Sequence, residues 1–184
     1  MTTPDDPFSV PGPTPPGGST QWGAAPIGSP LDQVQRTSAE RVWYLLFCLY
    51  FGAGYLAKIP TKKALSEAGL AVMTGAEKFW YVVLNIALGA GYLGKVPVKK
   101  AMEEAGMAVP RTGAENGWYT ALCIYFGFGY LQKVPMKKAL NDAGIGSMTS
   151  ANDGWYLFLC ILGGQGYFAK TFHKKALSEA TRLG

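Results

Sequence analysis

The chain has little of what enzymes use. Its 184 residues hold one histidine, His173, and twelve carboxylates, thin material for general acid–base chemistry. It carries no Ser-His-Asp set, phosphate loop, dinucleotide fingerprint or metal motif. These absences set the expectation of a non-enzymatic protein with no catalytic residue, no cofactor and no metal. The three cysteines, Cys48, Cys123 and Cys160, are odd in number and fit no metal spacing. All lie inside apolar runs, so they read as buried free thiols acting as small hydrophobes, suited to a reducing compartment. His173 has no cysteine or carboxylate partner in its motif and reads as a surface histidine. The N-terminus lacks the cationic start and apolar segment of a secretory signal. The expected location is therefore cytoplasmic, or peripheral on the cytoplasmic face of a membrane.

Apolar runs of spanning length are also missing. Each run is about 15 residues, roughly 22 Å as helix, where a full span needs about 20 residues. Four short spans remain an alternative, with aromatic residues near both ends of each run as interface belts. Two features weigh against it. Successive spans would alternate in direction, yet the flanking motifs recur almost unchanged. Lys and Arg number four in 58–79, four in 95–117, three in 132–154 and four in 170–184, without the asymmetry that orients membrane proteins.

What the chain does have is one unit written four times. Aligned on Trp43, Trp80, Trp118 and Trp155, the units are spaced by 37, 38 and 37 residues, a period characteristic of repeat architectures. The expected fold is all-α: four tandem helix–turn–helix repeats (37–73, 74–111, 112–148, 149–184), stacked side by side, with the first helices as a buried layer. Residues 1–36 hold eight of the twelve prolines and five glycines. They read as a disordered or extended tail that adds nothing to the fold.

Each unit opens on Thr-x-x-Glu before an apolar run, the capping box of a helix N-terminus. Thr37/Glu40, Thr74/Glu77 and Thr112/Glu115 fit, and Thr149/Asn152 is a weakened form. First helices are expected to start near 38, 75, 113 and 150. They are apolar on every side, as for a helix buried in protein or lipid, and their Trp-Tyr pairs read as core in preference to base-stacking platforms. Gly-x-Gly follows at 52/54, 89/91, 127/129 and 164/166, either bending the helix or admitting a close backbone approach. Then comes Lys-x-Pro-x-Lys-Lys-Ala. Proline suits the first turn of a second helix, which is expected to end at Gly69, Gly106 and Gly144. The fourth copy has Phe172 in place of the proline, as a terminal repeat often diverges.

The segment Gly91–Gly106, with its Tyr-Leu, Gly, Val-Pro and Lys-Ala pattern, resembles the turn and second helix of Sel1-like repeats, relatives of TPR-type helical repeats. The resemblance covers about 16 residues per unit in copies one to three, and helix one is far more apolar here. It implies an α/α repeat with a scaffold or adaptor role.

Twelve of the seventeen basic residues stand in the lysine triplets: Lys58, Lys62 and Lys63; Lys95, Lys99 and Lys100; Lys133, Lys137 and Lys138; Lys170, Lys174 and Lys175. Residues 37–184 carry 16 basic and 9 acidic groups, so anionic partners are expected. A proline-started helix would place the Lys-Lys pairs at its N-terminus, where ammonium groups and free amides together make an anion site. Phospholipid headgroups or an acidic protein are expected ahead of nucleic acid, with homo-oligomerisation as a further expectation. The alternative is that the lysines solubilise the unit and pair with Glu67, Glu103, Glu104, Asp142 and Glu179.

Overall fold

In a computed structural model, which describes residues 31, 34–50, 52–87, 89–125 and 127–180, the fold is all-α. Eight helices follow one another among the described residues: α1 (Ser38–Leu49), α2 (Ala53–Glu67), α3 (Gly75–Ile86), α4 (Ala90–Glu104), α5 (Gly113–Ile124), α6 (Phe128–Asp142), α7 (Ser150–Ile161) and α8 (Gln165–Ala180). Each odd–even pair forms a hairpin. Thr37, Thr74 and Thr112 each accept a bond from the backbone N–H of the glutamate three residues on, and that glutamate accepts the threonine N–H in return. Thr149 makes only the first of these bonds, to the N–H of Asn152. The helix starts thus fall where the capping boxes place them.

The Gly-x-Gly pairs do both of their suggested jobs, one glycine each. The first glycine, as at Gly52 and Gly89 (φ +66°) or Gly127 (φ +69°), takes the left-handed conformation that ends one helix and begins the next. The second lies against the preceding helix. A Cβ on Gly54, Gly91, Gly129 or Gly166 would sit 3.0–3.1 Å from the carbonyl of Tyr44, Tyr81, Tyr119 or Tyr156. The direction of the chain changes by 109° between α1 and α2 and by 107° between α3 and α4.

This early break corrects the expected second helix. α2, α4 and α6 begin seven residues before their prolines, so Pro60, Pro97 and Pro135 lie inside the helix, at the cost of one backbone bond each. The lysines therefore occupy mid-helix positions, away from the helix dipole's positive end. The far ends close as expected. Gly69 is left-handed (φ +73°), its N–H bonds Ser66 O, and Leu70 N–H reaches Leu65 O, a Schellman close.

Layering is the second correction. The even helices form the inside: α2 packs on α4, α4 on α6, α6 on α8, and α8 returns to α2. The units, expected to stack side by side, make a closed ring. Leu65, Met102, Leu140 and Leu177 hold one repeat position and are fully buried, beside the equally buried Ala64, Ala101, Ala139 and Ala176, whose small side chains let the helices approach. The odd helices lie outside, each against its own partner and the preceding even helix.

The divergent residues of the fourth unit lie at its contact with the first. Phe172 packs edge-on to Phe47 at 5.5 Å, and His173 Nδ1 shares a 2.8 Å hydrogen bond with Thr61 Oγ1. His173 is therefore held at the closure of the ring, and desolvation lowers its pKa to about 4. Leu31 is buried in the core with Val34 packed against it, so the packed chain extends ahead of residue 37. The expected disorder of the remaining tail lies outside the described residues.

Candidate functional site

The structure gathers the lysines of each unit's Lys-x-x-x-Lys into one cluster. Residues four apart share a helix face, and the long stems lie buried while the ammonium groups of three units reach carboxylates from the units on both sides, and those of the third unit reach one. Lys58 and Lys62 each meet Glu77, at 3.2 and 2.8 Å, and Glu179, at 2.8 and 3.0 Å. Lys95 and Lys99 meet Glu67 and Glu115 at 2.7–3.0 Å. Lys170 and Lys174 meet Glu40 and Asp142 at 3.1–3.2 Å. Lys133 and Lys137 meet Glu104, each at 2.9 Å. The remaining triplet lysines pair along their own helix: Lys63 with Glu67, Lys138 with Asp142 and Lys175 with Glu179 four residues on, and Lys100 with Glu103 three residues on. Lys63, Lys138 and Lys175 also stand over Tyr81, Tyr156 and Tyr44 of the next unit around the ring.

Carboxylates of the chain itself thus stand where external anions were expected. All five acids suggested as lysine partners take part. Three more, Glu40, Glu77 and Glu115, were not anticipated, because the capping box already accounted for them. One carboxylate does both jobs. Glu115 accepts the Thr112 N–H on Oε2 at 2.9 Å and both ammonium groups on Oε1, at 2.8 and 2.9 Å.

Charge and burial compete in these clusters, and charge prevails. Burial pushes the Glu115 carboxyl up, yet the bonds from Lys95, the Thr112 amide and Lys99 hold it at about 2. Glu179 is likewise pushed up by burial and brought down to about 2 by Lys58, Lys62 and Lys175. The second cluster lines a hollow of about 420 Å³ with Tyr92, Pro110 and Thr112, and its carboxylates are already matched by lysines. Arg111 pairs with Glu103 at 2.6 Å and lies 5.6 Å from the centre of the Tyr119 ring. Its Nε and Nη2 have no hydrogen-bond partner among the described residues.

The outer helices present the other candidate surface. Leu49, Ile86, Ile124 and Ile161, at one repeat position beside the turn, are 75, 82, 81 and 74 % exposed. On α1 the exposed aliphatic residues are Val42, Leu45, Leu46 and Leu49, spaced i, i+3, i+4, i+7 along one face. Phe79, Val82 and Ile86 continue the stripe on α3, and Leu157, Phe158 and Ile161 on α7. The four tryptophans read as core are exposed as well, with their tyrosines half-buried. On α5 only Trp118 and Ile124 are exposed large hydrophobic residues, so the Leu49 and Trp43 positions are the ones that recur in all four units. No single helix among the described residues is long and apolar enough to cross a membrane.

No protein-family model, no curated protein and no solved structure matches this chain.

Proposed function

We propose that the protein is a non-enzymatic helical-repeat ring that seats peripherally on a membrane through its outer helices. The carrying observation is the exposed aliphatic residue at one position of all four units, Leu49, Ile86, Ile124 and Ile161. Fully burying one such side chain is worth about 1.5–3 kcal/mol, and apolar patches on this scale mark interaction surfaces. A single protein partner would cover one side of the ring. Residues repeated around the whole circumference suit a surrounding that is itself uniform, such as lipid. Tryptophans beside the stripe fit the membrane–water boundary. Each outer helix is about 18 Å long, short of the roughly 30 Å hydrocarbon core, which favours seating in one leaflet over crossing.

The basic surface enters this reading in a reduced form. Eight of the twelve lysines direct their charge into the clusters. Lys63, Lys100, Lys138 and Lys175 remain as the more exposed set, able to meet anionic headgroups. The same economy argues against nucleic acid, whose affinity rests on free cations.

Flotation of the full chain with phosphatidylcholine and mixed anionic vesicles tests the proposal. Binding to both, stronger with the anionic lipid, is expected. Ile86→Glu with Ile124→Glu is expected to abolish it while the helical signal remains. A protein that stays monomeric without detergent and ignores both vesicles would overturn the reading. Discrete oligomers without vesicle binding would replace lipid by further copies of the chain.

A further inference from the structure

Three of the four lysine clusters are built alike. In each, a glutamate at the third position of the next outer helix accepts the amide of its own N-cap threonine: Thr37 to Glu40, Thr74 to Glu77 and Thr112 to Glu115, each at 2.9 Å. The same carboxylate takes both ammonium groups of the neighbouring inner helix, and a second acid completes the set. Two buried cations meet two anions.

The cluster on the third unit breaks the pattern. Asn152 stands where the glutamate stands elsewhere. Its Oδ1 accepts the Tyr130 hydroxyl at 2.5 Å, and it gives no return acceptor to the Thr149 amide. Lys133 and Lys137 remain in place, with side chains 9 and 12 % exposed, facing Glu104 alone among the described carboxylates. The groups that hold the carboxylate in the other clusters, an N-cap amide and two lysines, are thus present here too, with Lys133 also standing over the Tyr119 and Tyr130 rings. Only the carboxylate is gone, and one positive charge is left over. Burying charge without its complement is costly.

We infer that this cluster takes up the carboxylate of a small organic monoanion, of formate or acetate size, in place of the missing glutamate. The three complete clusters supply its binding mode: one oxygen on the Thr149 amide, the other between Lys133 and Lys137. They also favour a flat two-oxygen group of charge −1 over phosphate, since the surplus is a single charge. This inference does not depend on the membrane reading.

Thermal unfolding of the full chain in acetate and in chloride, at equal ionic strength, tests it. A saturable rise in Tm with acetate beyond that in chloride is expected. Asn152→Glu supplies the carboxylate internally, so its Tm in chloride should exceed wild type and acetate should add nothing. Lys137→Gln should flatten the acetate response. Should Asn152→Glu fail to fold, the line width of ¹³C-formate gives a direct reading: broadened by the wild type and much less by Lys137→Gln. Equal effects of acetate and chloride on the wild type, an acetate response retained by Asn152→Glu, or equal formate broadening by wild type and Lys137→Gln would each overturn the site.

Discussion

Lys99, on an inner helix, is 3 % exposed, while Ile86, on the outer helix of the same hairpin, is 82 % exposed. The contrast recurs around the ring and runs against the usual distribution, in which lysine is almost never buried unless paired. Pairing explains the inner half: the ring brings two carboxylates to most lysine pairs, so burial there is electrostatically matched. Among the described residues, nothing covers the outer half. The difference teaches that hydropathy along this sequence does not sort inside from outside. Neighbours across the ring do.

The sharpest way to break the comparison is to remove one inner charge. Glu115→Ala strips a carboxylate from two buried lysines and undoes a capping box. Removing one partner of a buried pair typically costs about 3–5 kcal/mol, and urea unfolding should read a loss of that order. A cost under about 1 kcal/mol would mean that water solvates these clusters and that the pairing is incidental.

Acid probes the same clusters without mutation. Glu115 and Glu179 hold pKa values of about 2 in the fold, against an ordinary 4.5. Between those values the unfolded chain binds more protons, so stability falls as pH drops through that window. His173 adds an earlier step of the same sign, because it stays neutral to about 4 in the fold against an ordinary 6.5. The denaturation midpoint should decline from about pH 6.5 downward, and His173→Gln should flatten the upper part of that decline.

Next in size is the contact between outer and inner helix. A Cβ on Gly129 would meet the Tyr119 carbonyl at 3.0 Å and Cys123 Sγ at 2.8 Å, whereas one on Gly113 meets open space. Gly129→Ala should cost about 1–3 kcal/mol through overpacking, and Gly113→Ala should be neutral or slightly stabilising. Smaller again are the caps: Thr112→Ala about 1 kcal/mol, and Thr149→Ala less, since its box is half made. The smallest expected effect completes the comparison. Ile86→Ser should shift monomer stability within about 0.5 kcal/mol while weakening vesicle binding. A large loss of stability would mean that the outer stripe is covered within the fold.

Much of this was legible in the sequence. Helix starts followed from the capping boxes, because both halves of that motif lie within four residues. The stop at Gly69 followed from local backbone chemistry as well. The break at Gly52 was half-legible: two glycines admitted either a bend or a close contact, and each took one role. Local signals could not supply the closure of the ring, which depends on a small rotation per unit. With closure went the lysine partners, since Lys58 finds Glu179 across 121 residues of chain. Apolar character all around the outer helices pointed to burial, but one face packs on the inner ring and the other stays exposed. The missing acid at Asn152 was visible as a weakened cap. Its meaning as a missing charge required the neighbouring lysines in place.

Ring closure carries one more consequence. The middle of α8 lies beside the start of α1, with Lys174 Nζ 3.5 Å from the carbonyl of Gln35 and Glu40 held by Lys170 and Lys174. The seam between the fourth unit and the first is bonded like the seams inside the chain. The order in which the four units are written is thus almost arbitrary to the finished ring. Joining Ala180 to Val34 by a linker and reopening the chain between α4 and α5 would ask the polypeptide to make the same contacts in a different order. Such a circular permutant turns a seam closed at long range into a covalent one, and moves the burden of closure to a junction that the chain now makes for free.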